Sequence, residues 1–117
     1  METRTNVLIV DDHPSFRACA RALLEADCFT VVGEAEDGAA ALTAIEQLHP
    51  DVVLLDIQLP DMDGFAVLEQ LGADAPPVVL VSSREASDYD GLIRKSRARG
   101  FIAKAELSGS AVRLLLR

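Results

Sequence analysis

The sequence predicts an α/β fold in which helices cover both faces of a parallel sheet. Five apolar runs of strand length recur along the chain, amphipathic segments with helical spacing separate them, and the runs do not alternate with polar residues. A continuously apolar strand is buried on both faces, which is typical of parallel strands under helices. Because 117 residues is the usual length of one domain, we expect residues 1–117 to form a single unit.

The predicted elements follow from these runs and from the segments between them. The strands are Val7–Val10, Phe29–Val32, Val52–Leu55, Val78–Val81 and Phe101–Ala103. The first helix should begin at Pro14, since proline is favoured at the first helical position. The residues expected on buried helix faces are Phe16, Ala20, Leu23 and Leu24 in the first helix, Ala41, Ile45 and Leu48 in the second, Phe65, Leu68 and Leu71 in the third, and Tyr89, Leu92, Ile93 and Ser96 in the fourth. The fifth helix should begin near Ser108.

A strand followed by a helix, repeated five times, predicts right-handed crossovers and a doubly wound sheet. This is the flavodoxin-like architecture, whose usual strand order is 2-1-3-4-5. Ligands in such sheets bind beyond the carboxyl ends of the strands, at the switch point between strands 1 and 3. The sequence therefore indicates where functional side chains should be sought.

Charge and composition exclude several classes of protein. The formal net charge of −8 argues against direct binding to nucleic acid, since affinity for its backbone depends on Lys and Arg. Residues 1–83 carry 15 acidic and 3 basic side chains, whereas residues 84–117 carry 4 acidic and 8 basic ones.

Cys19 and Cys28 lack the spacing of a zinc site, and we expect both to be reduced thiols in the core. No apolar run is long enough for a membrane span, and the start Met1–Thr5 lacks the apolar segment of a signal peptide. We therefore expect a soluble, cytoplasmic protein.

Polar residues follow four of the predicted strands. Asp11 and Asp12 follow the first, Asp56 the third, Ser82 the fourth and Lys104 the fifth. Each alone could be a helix cap or a solvated side chain. Three clustered carboxylates, however, repel one another strongly enough to require a cation. Oxygen ligands select a hard ion, so we expect Mg²⁺, with Mn²⁺ able to substitute.

Two carboxylates suffice to hold the metal, which leaves a carboxylate, a hydroxyl and an ammonium beside it. Such groups suit the transfer of a phosphoryl group. A carboxylate can attack phosphorus to form an aspartyl phosphate, while a metal and a lysine offset the charge of the equatorial oxygens. Asp56, central in the sheet, is the natural nucleophile.

The chain resembles a receiver domain of a two-component response regulator over nearly its whole length. The resemblance is carried by four segments: Val7–Pro14 (VLIVDDHP), His49–Gly64 (HPDVVLLDIQLPDMDG), Val78–Ser82 (VVLVS) and Gly100–Lys104 (GFIAK). It implies a regulatory domain that is not an enzyme in the ordinary sense, because it catalyses only its own phosphorylation and dephosphorylation. The phosphodonor would be a phosphohistidine on a sensor histidine kinase.

The resemblance also implies a role for individual residues. Asp11 and Asp12 match the acidic pair that holds Mg²⁺, Asp56 matches the phosphoacceptor that also binds the metal, Gln58 would lend its main-chain carbonyl to the metal, Ser82 matches the hydroxyl that follows the phosphoryl group, Lys104 matches the ammonium, and Phe101 matches the aromatic switch residue of the fifth strand. The chain departs from the family at Ala105, where many receivers have proline, and at Phe101, which lacks the hydroxyl of a tyrosine.

Two segments resemble a subgroup of receivers. Asp11–Pro14 and Lys104–Leu107 are similar to segments in receivers that precede a LuxR-type DNA-binding domain, which implies transcriptional output through a domain outside this chain. A receiver that stands alone and acts through protein contacts is the alternative. A flavin- or nucleotide-binding domain would need a phosphate cradle rich in Gly, Ser or Thr after the first strand, where the acidic pair stands instead.

The fourth helix is expected to be the least stable, because Asp88, Asp90 and Gly91 are poor helix formers. Basic residues crowd this segment, and the fifth helix has more apolar residues than one buried stripe requires. Such a surplus beside charges marks a contact surface. We expect the fourth helix, the fifth strand and the fifth helix to form the regulated interface of a homodimer.

Overall fold

The fold is a five-stranded parallel sheet covered by helices on both faces. The computed structural model describes residues 4–89 and 91–117. The strands are β1 (Thr5–Val10), β2 (Phe29–Ala35), β3 (Val52–Asp56), β4 (Val78–Ser82) and β5 (Gly100–Ala103). Their order in the sheet is β2-β1-β3-β4-β5, so the predicted flavodoxin-like, doubly wound architecture is confirmed.

Five helices connect and flank these strands. They are α1 (Pro14–Glu25), α2 (Gly38–Leu48), α3 (Gly64–Gln70), α4 (Leu92–Lys95) and α5 (Gly109–Leu116), with short 3₁₀ turns at Ala86–Tyr89 and Lys104–Glu106. One core layer packs α1 and α5 against the sheet, and the other packs α2 and α3 against the opposite face. Residues that alternate along a strand therefore enter different layers, which explains why the strands are apolar on both faces.

Local signals set the starts of four helices. Pro14 occupies the first position of α1, and the side chains of Asp37, Asp63 and Ser108 cap α2, α3 and α5 by accepting main-chain N–H groups. Capping satisfies amide groups that the first turn leaves without partners.

The fourth helix differs from the prediction. Tyr89 lies in the 3₁₀ turn and not in α4, which is a single turn. Gly91 separates the two with a φ of 82°, a left-handed conformation that glycine adopts without steric cost. Asp90, one of the predicted poor helix formers, and Met1–Thr3 at the start lie outside the described residues.

Four side chains expected in the core or on buried helix faces are exposed. The exposed fractions of Leu23, Leu48 and Leu92 are 42%, 43% and 50%. Cys19 lies at the surface, and Cys28, the other expected core thiol, is half-buried. On α1, Cys19 directly precedes the buried Ala20 and Leu23 directly precedes the buried Leu24. The buried face of this helix is therefore narrower than the sequence pattern indicated. Within the described ranges, no helix combines the length and the apolar character needed to cross a membrane.

Candidate functional site

The carboxyl ends of the strands bring Asp11, Asp56 and Lys104 together. Asp11 directly follows β1 and Asp56 is the last residue of β3, and these strands are paired in register with Val10 opposite Leu55. Asp11 is 0% exposed and Asp56 is 2% exposed. Two carboxylates are thus buried side by side, where repulsion between them is strong unless a cation is present.

Lys104 provides positive charge to both carboxylates. Its Nζ lies 2.6 Å from Asp11 Oδ2 and 3.2 Å from Asp56 Oδ2. The same ammonium lies 4.5 Å from the centre of the Phe16 ring on α1. Although burial alone would lower the pKa of Lys104, its hydrogen bond to Asp11 and the nearby charge of Asp56 raise that pKa above its ordinary value. Lys104 therefore stays charged.

Asp56 is poised differently from an ordinary aspartate. Burial raises the pKa of Asp56 from 3.8 to about 6, and the negative charge of Asp11 adds to the rise. The main-chain N–H of Gln58, which donates to Asp56 Oδ1 at 3.1 Å, and the ammonium of Lys104 oppose it. A buried carboxylate with a raised pKa in a cluster of charges is typical of functional sites.

Asp12 and His13 complete the cluster. Atoms of Asp11, Asp12, His13 and Asp56 that could bind a metal lie within 4.8 Å of one another. Asp12 Oδ1 is buried and accepts no hydrogen bond within the described residues, although His13 Nδ1 lies 3.1 Å away. A buried oxygen without a donor is costly, and a divalent cation would satisfy it. Three carboxylates are ligands that suit Mg²⁺, so the residues fit this ion.

The loop between β3 and α3 is built against the main chain of Asp56. Gly64 opens α3, and a Cβ at this position would lie 2.9 Å from the carbonyl oxygen of Asp56 and 3.0 Å from Ile57 Cα. Asp61 accepts hydrogen bonds from the first amides of α2, at 2.8 Å from Gly38 N and 3.0 Å from Ala39 N. The loop thus connects β3 to α3 and also caps the start of α2. Gln58 lies in this loop, and its carbonyl as a metal ligand stays a prediction.

Ser82 contacts Tyr89, to which the sequence pattern assigned a buried helix position but no role at the site. Its Oγ lies 2.5 Å from the hydroxyl of Tyr89 and accepts the main-chain N–H of Arg84 at 3.0 Å. The Tyr89 ring in turn packs beside Phe101, with 5.9 Å between ring centres, and edge-on to Phe65 at 6.0 Å. The hydroxyl of Ser82 is thus connected to the predicted switch residue Phe101 through Tyr89.

Known proteins identify the family of this chain. Residues 7–112 match the response regulator receiver domain family. The chain belongs to this family. The receiver domain of the response regulator NarL from Mycobacterium tuberculosis is 34% identical and has a TM-score of 0.84, with 98% of each chain covered. A LuxR-family two-component response regulator from Aurantimonas sp. SI85-9A1 is 25% identical with a TM-score of 0.85, over 97% of this chain and 86% of that one.

Receivers also form part of longer proteins that are similar to this chain. A Pseudomonas aeruginosa protein named as a transcriptional regulator is 41% identical over 105 residues, which are 87% of this chain and 50% of that protein. A protein-glutamate methylesterase/protein-glutamine glutaminase from Symbiobacterium thermophilum is 44% identical over 84% of this chain and 28% of its own length. The chain therefore spans half or less of these relatives.

Proposed function

We propose that this receiver domain accepts a phosphoryl group on Asp56, in a reaction that requires Mg²⁺, and changes its surface in response. The observation that carries the proposal is that two buried carboxylates, Asp11 and Asp56, share the ammonium of Lys104. One positive charge balances only one carboxylate, so the site favours a further cation and then an oxygen-rich ligand that both cations can contact.

The chemistry follows from the atoms at the site. An Asp56 carboxylate oxygen attacks the phosphorus of a phosphohistidine, so that a P–O bond forms while the P–N bond breaks and the imidazole leaves. Lys104 offsets negative charge on the transferred group. The carboxylates of Asp11, Asp12 and Asp56 and the carbonyl of Gln58 would hold Mg²⁺. When bound, this ion stabilises charge on the equatorial oxygens, and Mn²⁺ has similar ligand preferences.

Phosphorylation would then alter the contact between Ser82 and Tyr89. A new phosphoryl oxygen at Asp56 is an acceptor that competes for the Ser82 hydroxyl, which now lies against Tyr89. Loss of this contact releases the Tyr89 ring and removes a neighbour of Phe101. The 3₁₀ turn and α4 are short elements, and elements of low stability are the ones that move in switching.

Output is proposed from the relatives and from the surface. A sensor histidine kinase in the cytoplasm would supply the phosphoryl group, and the chain would catalyse only the gain and loss of that group. Similarity to a transcriptional regulator and to a LuxR-family regulator favours transcriptional control through a further domain. The surface of α4, β5 and α5 would carry the signal, as the interface of a homodimer.

The test is phosphorylation by a small acyl phosphate. We expect that the chain, incubated with acetyl phosphate and Mg²⁺, gains the mass of one phosphoryl group by intact mass spectrometry. Asp56→Asn and a wild-type sample with excess chelator should gain none. An unmodified wild-type protein, or an equal gain in Asp56→Asn, would overturn the proposal.

A further inference from the structure

Arg17 links the acidic loop to a neighbouring strand. This residue lies in the first turns of α1, and its side chain is 15% exposed. Its Nη1 donates to the main-chain carbonyl oxygen of Asp11 at 2.6 Å, and its Nε donates to Glu34 Oε1 on β2 at 2.8 Å. One guanidinium therefore joins α1, β2 and the end of β1.

The hydrogen bond from Arg17 holds the peptide group between the two aspartates that are proposed to bind the metal. The carbonyl of Asp11 belongs to the planar peptide group that connects Asp11 to Asp12, so its orientation helps to set where both carboxylates point. The preceding peptide is also held, since the Asp11 N–H donates to the Ala35 carbonyl at 3.0 Å. Partners behind the ligands orient a metal site, and their loss commonly costs 10- to 100-fold in affinity.

From this geometry we propose that Arg17 is a positioning residue for divalent metal binding, anchored by Glu34 and acting through the Asp11 carbonyl. The inference rests on the proposed function, because it assumes that Asp11 and Asp12 hold Mg²⁺. Arg17 itself does not contact the metal or the phosphoryl group.

Arg21 offers a matched control on the same helix. Its guanidinium donates to the other oxygen of Glu34, Oε2, at 2.8 Å and 3.0 Å, and to Glu25 at 3.4 Å. Within the part of the chain that the structure describes, its side-chain hydrogen bonds go to these two carboxylates, and none goes to the end of β1. Replacing Arg21 removes a similar charge and a similar contact to Glu34 without removing the bond to Asp11.

Electrostatics alone predicts the opposite effect at Arg17. A nearby cation repels Mg²⁺, so neutralising it should tighten binding. Positioning predicts weaker binding, because the peptide between the two aspartates loses its donor. The sign of the change in affinity therefore separates the two explanations.

The experiment measures Mg²⁺ binding to the full chain by calorimetry. We expect Arg17→Gln to raise the dissociation constant roughly tenfold, Arg21→Gln to change it less than twofold, and Glu34→Gln to raise it to an intermediate extent. In phosphorylation by acetyl phosphate, Arg17→Gln should need more Mg²⁺ for half-maximal rate but reach the wild-type rate at saturation. A role in fold stability alone would not produce this split.

The outcomes distinguish the inference from the function beneath it. If the wild type binds no Mg²⁺, both fail. If the wild type binds Mg²⁺ and Arg17→Gln binds equally or more tightly, the inference alone fails. Should Arg17→Gln not fold, Glu34→Gln decides, because it keeps Arg17 and weakens the carboxylate contact that anchors it. Glu34→Gln also weakens the contact to Arg21, for which Arg21→Gln is the control. Unchanged affinity in Glu34→Gln would overturn the inference.

Discussion

Asp56 has its carboxylate in an environment that favours the protonated form. Burial is the main cause, and the proximity of Asp11 adds to it, so the pKa of Asp56 rises to about 6. Lys104 is shared between the two carboxylates and compensates them only in part. Ionised Asp56 therefore carries a negative charge that is costly to bury, at the position where the phosphoryl group is proposed to bind.

This charge predicts a pH-dependent stability without metal. Because the pKa of Asp56 is raised on folding, the folded state binds the proton more tightly, and the contribution of this group to stability falls as pH rises from about 4 to about 6. Asp56→Asn removes the cost of ionisation. At pH 8 with chelator, we expect the variant to be more stable than the wild type by on the order of 2 kcal/mol in urea unfolding.

The advantage of Asp56→Asn should shrink at pH 5, where the wild-type carboxyl is mostly protonated. Asp74→Asn is a suitable control, since Asp74 is exposed and its replacement should leave the unfolding free energy nearly unchanged at both pH values. If the difference between wild type and Asp56→Asn did not vary with pH, the assigned environment of Asp56 would be incorrect.

At the scale of elements, the start of α3 is fitted closely to the end of β3. The Cβ of an alanine at position 64 would meet main-chain atoms of Asp56 and Ile57, which can move only if the loop moves. We expect Gly64→Ala to lower the unfolding free energy by roughly 1–3 kcal/mol and to slow phosphorylation of Asp56. In Gly72→Ala the new Cβ has no neighbour within 4 Å. Equal stability of the two variants would contradict the packing described here.

The connection from β4 to the 3₁₀ turn can be followed with a native probe. Tyr89 is the only tyrosine and the chain has no tryptophan, so tyrosine emission reports the hydroxyl bonded to Ser82. Phosphorylation should change this emission in the wild type and leave Asp56→Asn unchanged. Ser82→Ala should already show the altered emission without phosphorylation. Unaltered emission in fully phosphorylated wild-type protein would exclude release of Tyr89.

The sequence predicted the strands better than the fourth helix, because a strand that is buried on both faces is apolar along its whole length. All five strands were found, but β2 extends three residues beyond Val32, because Gly33 and Glu34 interrupt the apolar run. Helical spacing placed Tyr89 in the fourth helix, and the left-handed Gly91 ends that regularity. Asp88 and Gly91, both poor helix formers, were the available warning.

The sequence predicted the residues of the site that stand at the ends of strands, but not the side chains around them. Asp11, Asp56 and Lys104 meet because parallel strands end at one edge, a consequence of topology. The contacts made by His13, Arg17 and Tyr89 depend on side-chain directions and on loop geometry, which no spacing rule gives. Each of these three residues looked like an ordinary helix or loop position in the sequence.

At the scale of the whole molecule, most basic residues lie after position 83, whereas the rest of the chain is strongly acidic. Arg94, Lys95 and Arg97 are exposed on or beside α4. If this surface forms the proposed homodimer interface, phosphorylation should increase association in sedimentation velocity experiments. Arg94→Glu with Arg97→Glu should abolish that increase. Association that is unchanged by the two substitutions would remove this surface from the interface.

Locating the phosphoryl group on the chain is the most direct test of the proposed function of Asp56. Borohydride reduces an aspartyl phosphate to homoserine, so treatment of the phosphorylated wild-type protein followed by peptide mapping identifies the modified residue. We predict homoserine at position 56 and at no other aspartate, and none when Mg²⁺ is withheld. Reduction at Asp11 or Asp12, or labelling that is independent of the metal, would contradict the account.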